Sequence, residues 1–96
     1  MFAWDVEKAL SNYAKHGVSF EEASTVFADS NGLHVVDRQH SKQEMRFFRV
    51  GTSSEGRILT VVFTVRKLSH DKETIRIISA RPASRKERSA YTGLGD

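Results

Sequence analysis

Ninety-six residues are enough for one domain with one core and leave no room for a second. With 39% hydrophobic and 28% charged residues, the composition is that of a globular chain, not a disordered one. The absence of cysteine excludes disulfides, thiolate metal sites and cysteine nucleophiles, and no apolar run approaches the roughly 20 residues of a membrane helix. Met1-Phe2-Ala3-Trp4-Asp5 lacks the basic start and apolar stretch of a secretory signal, so the expected compartment is the cytoplasm. The net charge of +3 is unevenly placed: residues 66 to 96 carry eight Lys or Arg against four Asp or Glu, residues 1 to 65 seven against eight. A basic C-terminal third suggests a surface for an anion, of which the RNA or DNA backbone is the obvious large example.

Phe2 to Trp4 is short and apolar enough for an edge strand. Val6, Ala9, Leu10, Tyr13 and Ala14 then recur at helical spacing, with Asp5 at the N-cap and Gly17 at a left-handed C-cap. Ser19-Phe20-Glu21-Glu22 reads as a capping box in which Glu22 reaches back to the cap, opening a second helix with Phe20, Ala23 and Phe27 inward and Asp29 to Gly32 ending it. The two helices predict a tight hairpin.

The period then changes. Leu33 to Asp37, Met45 to Gly51, Ile58 to Arg66 and Ile75 to Arg81 read as strands, the third with Leu59, Val61, Phe63 and Val65 on one face. Lys67 to Glu73 is polar and reads as a loop. Ser84 to Glu87 repeats the capping box and opens a short helix toward Tyr91. Ser41 to Glu44 matches the same pattern, but strand-like residues follow it. Short connections favour antiparallel neighbours, so the expectation is an α+β fold: a three- or four-stranded antiparallel sheet on an N-terminal helical hairpin, with a short C-terminal helix. Residues 1 to 91 form the expected single domain, and 92 to 96 a flexible tail with little to bury.

Strict alternation in the last strand places Arg76, Ile78 and Ala80 on one face and Ile75, Ile77, Ser79 and Arg81 on the other. Arg66 ends the neighbouring strand, and Arg46 and Arg49 lie in the one before. Guanidiniums converging on an open sheet face make a bidentate clamp for phosphate; dispersed, they only keep the strands soluble. Arg85 and Arg88 extend the basic surface onto the last helix. Lys15 and His16 close the first helix, where they complement its dipole. His40 stands in a loop beside a basic strand, within reach of a role in proton transfer. His34, His40 and His70 have no metal-ligand spacing, and no phosphate loop or dinucleotide fingerprint is present, so neither metal nor cofactor is expected.

Several blocks together resemble one known family. Phe2-Ala3-Trp4-Asp5, Lys15-His16-Gly17-Val18-Ser19-Phe20-Glu21-Glu22-Ala23, Val26-Phe27-Ala28-Asp29, Asp37 with His40-Ser41, Arg46, Gly51, Gly56-Arg57, Val61-Val62-Phe63-Thr64, Ile75-Arg76-Ile77-Ile78-Ser79-Ala80-Arg81 and Glu87-Arg88 with Tyr91 resemble, in order and spacing, the BrnT family. Its members are toxins of bacterial type II toxin–antitoxin systems. The resemblance implies a RelE-like fold and a metal-independent ribonuclease that blocks translation, the RNA 2′-hydroxyl attacking its own phosphodiester. It also implies a BrnA-like antitoxin with a ribbon-helix-helix domain, a complex expected to be dimeric, and contact with operator DNA only through that antitoxin.

Such chemistry needs a base, an acid and positive charge on the phosphate. By position, the resemblance makes Arg66, Arg76 and Arg81 candidates for phosphate stabilisation. Lys15, His16 and His40 become candidates for proton transfer or substrate placement, and Arg46, Arg49, Arg85, Arg88 and Tyr91 for RNA contact. One departure stands out. Where the family commonly shows Thr-Glu-Arg, this chain has Thr64-Val65-Arg66, and valine cannot act as a base. If catalysis is weakened there, restoring glutamate at position 65 is expected to raise activity. The alternative is a catalytically impaired RNA-binding or antitoxin-binding module on the same fold.

Overall fold

The computed structural model describes residues 1–69 and 71–93. Its frame is a five-stranded sheet of β1 (Phe2–Ala3), β2 (Leu33–Asp37), β3 (Arg46–Thr52), β4 (Ile58–Ser69) and β5 (Lys72–Pro82), in the order β1-β5-β4-β3-β2. The four long strands are antiparallel neighbours, as their short connections require, and β1 adds a parallel edge through Phe2 opposite Ile75 and Ala3 opposite Arg76. The sheet thus has one strand more than the three or four expected, because a two-residue stub is enough to pair an edge. The stretch expected as a polar loop after Arg66 is mostly strand: Lys67 pairs with Glu73 and Ser69 with Lys72. His70 and the tail beyond Gly93 lie outside the described residues.

Helix α1 (Val6–His16) starts where Asp5 Oδ1 accepts the Lys8 amide at 3.1 Å and stops at Gly17, whose φ of 68° is the left-handed cap anticipated. Helix α2 (Phe20–Ser24) starts at Ser19, whose Oγ accepts the Glu22 amide at 3.0 Å, and tightens into a 3-10 turn over Thr25–Ala28. The reciprocal half of that capping box is missing. Glu22 turns inward instead: Arg57 Nε donates to its Oε2 at 3.0 Å and Ser53 Oγ at 2.7 Å, tying the β3–β4 turn to α2. Hydrogen bonding from Arg57 holds the Glu22 carboxyl below its ordinary range against the opposing effect of burial. In α3 (Arg85–Thr92) both halves of the box form around Ser84 and Glu87.

The segment from Val18 to Val26, which carries α2, packs on one face of the sheet, and α1 reaches it at the β5 edge. Val18, Phe20, Ala23 and Val26 meet Leu59, Val61, Ile77 and Ala80 there, all essentially inaccessible. Each of the valines, Phe20, Leu59 and Ile77 contributes about 1.5–3 kcal/mol of burial. The edge of β5 beyond β1 is closed by a side chain. Buried Asn12 donates to the Ala80 carbonyl at 2.8 Å and accepts its amide at 3.1 Å, standing in for a missing strand. Its second donor hydrogen goes to the Val18 carbonyl at 3.0 Å.

The apolar stripe of α1 departs from expectation. Val6, Leu10 and Tyr13 are 67%, 68% and 59% exposed. The helix meets the sheet through Asn12 and Ala9 because it sits against the β5 edge and not over the sheet centre.

Candidate functional site

A β-bulge decides where the arginines go. Val62 pairs with Ser79 and Phe63 with Ile77, so Ile78 is an extra residue in β5. The bulge breaks strict alternation, which had separated Arg76 from Arg81. Arg81 lies opposite Thr60 and Arg76 opposite Thr64, so both arginines share the face that the N-terminal helices leave uncovered. Ile75, Ile77 and Ala80 all turn to the core face instead, where Ala80 had been expected on the far side.

That open face has two ends. At one, α3 lies across it: Thr60 Oγ1 donates to Glu87 Oε1 at 2.9 Å, and Arg81 grips both Glu87 oxygens at 2.7 and 2.9 Å. This hydrogen bonding from Arg81 brings the Glu87 carboxyl down to about 2. At the other end the loop of residues 38–45 borders a cleft of about 460 Å³ lined by Gln39, His40, Lys42, Gln43, Glu44, Arg46, Thr64 and Ile78. Here His40 Nδ1 lies 2.9 Å from Oδ2 of buried Asp37. With the carboxylate as acceptor, Nδ1 is the donor of this contact, and in a neutral imidazole that tautomer presents the lone pair at Nε2. Ser41 pins the loop, accepting the Arg46 amide at 2.9 Å and donating to the Asp37 carbonyl.

The arginines sort by what they touch. Arg49 lies on the helix-bearing face, donating to the carbonyls of Val26 at 3.3 Å and Asp29 at 2.7 Å, with its guanidinium 5.6 Å from the Phe27 ring. Arg46 and Arg49 are three positions apart, which puts them on opposite faces; the convergence expected of them is therefore not formed. Arg57 is engaged by Glu22, Arg81 by Glu87, and Arg66 loosely by Glu44 at 3.3 Å. Among the described residues, no ion pair or side-chain hydrogen bond holds the guanidinium of Arg46 or of Arg76.

The other anticipated residues lie elsewhere. Lys15 and His16 end α1, which packs on β5 from the opposite side. Tyr91 secures α3 to the body of the protein, donating to Asp29 Oδ2 with Thr52 Oγ1 at 2.8 Å from its hydroxyl. Arg85 and Arg88 are exposed on α3. Val65 pairs with Ile75 on the core face, turned away from the cleft. The cleft thus brings together Arg46, His40 and Thr64; Arg76 stands across from Thr64 on the same face, Arg66 pairs with Glu44 of the lining, and Arg81 lies at the far end of that face. Sequence reasoning missed Thr64, whose hydroxyl looks like any strand threonine. It also missed the role of Asp37, whose spacing of three from His40 in a turn was the available signal.

Comparison with known proteins bears on the family and the fold. The family model described as "Ribonuclease toxin, BrnT, of type II toxin-antitoxin system" matches residues 4–87. The crystal structure of the Brucella abortus ribonuclease toxin BrnT superposes with a TM-score of 0.58 at 26% identity, covering 88% of this chain and 99% of that one. No curated protein is matched by the sequence. With 84 of 96 residues inside the family model and the same mixed fold in a solved member, the chain belongs to the BrnT family of ribonuclease toxins of type II toxin–antitoxin systems.

Proposed function

We propose that this protein is an endoribonuclease acting in the cleft on the open sheet face, and that a cognate BrnA-like antitoxin restrains it. The observation that carries the reading is the union, in one cleft, of an imidazole oriented by a buried carboxylate and the Arg46 side chain, with Arg76 standing across from cleft-lining Thr64 on the same sheet face. In this reading His40 Nε2 takes the proton of the RNA 2′-hydroxyl. The 2′-oxygen attacks the adjacent phosphorus, the bond to the 5′-oxygen breaks, and a 2′,3′-cyclic phosphate forms. Lys42, at the rim of the same cleft, supplies a proton to the departing oxygen. Arg46 and Arg76 bear the charge that accumulates on the phosphoryl oxygens. The step needs no metal, and the outcome is loss of translation and of growth.

Expression without antitoxin should arrest growth and degrade RNA, and the purified protein should cleave RNA in excess EDTA. Arg76→Ala should lower cleavage at least a hundredfold, corresponding to about 3 kcal/mol in the transition state, at an unchanged unfolding midpoint. Normal growth with intact RNA from abundant folded protein would sink the proposal. The second reading, a binding module without turnover, draws on Val65 facing away and Arg81 being tied to Glu87. RNA binding with no cleavage would favour it.

A further inference from the structure

We infer that Thr64 and Arg76 form a phosphate-binding subsite, with the Thr64 hydroxyl donating directly to a non-bridging oxygen of the RNA backbone. The protein contains its own precedent. Thr60 and Arg81 stand opposite each other on β4 and β5, on the open face, and between them they bind the carboxylate of Glu87. Thr60 Oγ1 donates at 2.9 Å and Arg81 at 2.7 and 2.9 Å. Thr64 and Arg76 repeat that pair on the same two strands and the same face. The threonines are four positions apart and the arginines five, and the extra residue at Ile78 keeps both pairs in register.

The second pair differs in having no carboxylate bound to it among the described residues. Thr64 is 1% exposed, and its Oγ1 is the buried side-chain polar atom that has no hydrogen-bond partner among the described residues. A valine has the same shape at such a strand position and carries no desolvated hydroxyl, so the threonine costs stability unless something accepts its hydrogen. Thr64 lines the cleft that also holds Arg46 and His40, which is where an oxyanion arrives from solvent. The guanidinium of Arg76 supplies the charge, and the hydroxyl fixes which oxygen is held. An anion with tetrahedral oxygens fits a threonine beside an arginine as a carboxylate does at Thr60, and in a ribonuclease the anion is the backbone phosphate. The assignment deepens the ribonuclease reading and rests on it for the identity of the ligand, though not for the existence of the anion site.

The test uses the full chain and three variants, Thr64→Val, Thr64→Ser and Thr60→Val. Inorganic phosphate is titrated while backbone amide resonances are followed, and binding of a mixed-sequence 2′-O-methyl RNA is measured in parallel. Thr64→Val should keep or raise the urea midpoint while weakening both phosphate and RNA about three- to tenfold, the value of one hydrogen bond. Thr64→Ser should bind within about twofold of the parent, and Thr60→Val should lose stability because it breaks an existing bond. Phosphate shifts at the amides of positions 64 and 76 that are equally strong in Thr64→Val would overturn the subsite, as would a loss of stability in that variant. Phosphate binding that depends on Thr64 in a protein that neither binds nor cleaves RNA would uphold the anion site and refute the ribonuclease reading instead.

Discussion

Glu87→Gln probes the clamp that holds α3 on the sheet, and its effect follows from the geometry. The Glu87 carboxyl sits at about 2 in the folded protein, against an ordinary value of 4.5, chiefly through its hydrogen bonds from Arg81, with further ones from the Ser84 amide and Thr60. By linkage that difference corresponds to at most about 3 kcal/mol. The Arg81 side chain is 37% exposed, and solvent screening brings the contribution to about 1–2 kcal/mol. Because the folded value is depressed, this stability is fully present above pH 4.5 and is lost as pH falls from 4.5 toward 2. Glu22 and Asp29 are also held below their ordinary ranges, but parent and variant share them, so they cancel in the difference. Urea unfolding followed by Trp4 fluorescence, with Trp4 packed edge-on to Phe20 at 5.9 Å, reads the gap directly. The variant should be less stable by about 1–2 kcal/mol at pH 7, and the gap should shrink steadily between pH 4.5 and pH 3. A gap that is absent at pH 7, or constant across that range, would refute the assignment of the clamp to an ionised Glu87.

Two other substitutions test the frame. Asn12→Ala leaves the amide and carbonyl of Ala80 and the carbonyl of Val18 without their partner, which should cost about 2–4 kcal/mol in urea unfolding; a loss below about 1 kcal/mol would mean that water closes the β5 edge equally well. Val65→Glu should give no gain in RNA cleavage and lower stability by about 1–2 kcal/mol, since the new carboxylate meets Ile75 on the core face; a faster nuclease would show that the face assignment is wrong.

Local chemistry made much of this protein legible in one dimension. The caps at Asp5, Ser19, Ser84 and Gly17 act within a few residues, so they appear in the sequence as surely as in the structure. Strands β2 to β5 announce themselves by alternation and β-branching, and the sequence blocks from Phe2 to Tyr91 pointed to the family. Interactions between distant residues were not legible in that way. Nothing local distinguishes a Glu22 that reaches back to its own cap from one that pairs with Arg57, thirty-five residues on. The apolar stripe of α1 has the spacing of a core face, yet the helix came to rest against a strand edge, where Asn12 makes the contact and Leu10 faces solvent.

The arginines separate the two levels most clearly. Their number and their place in the chain were set by the sequence and pointed to an anion before any fold was known. Which of them are unengaged was a tertiary matter, because that depended on carboxylates and carbonyls brought from elsewhere to Arg49, Arg57 and Arg81. The bulge at Ile78 then placed Arg76 and Arg81 on one face, each across from a threonine. Strand alternation has a period of two, so a single inserted residue reverses every side chain beyond it, and only the pairing of β4 with β5 decides whether that insertion occurs.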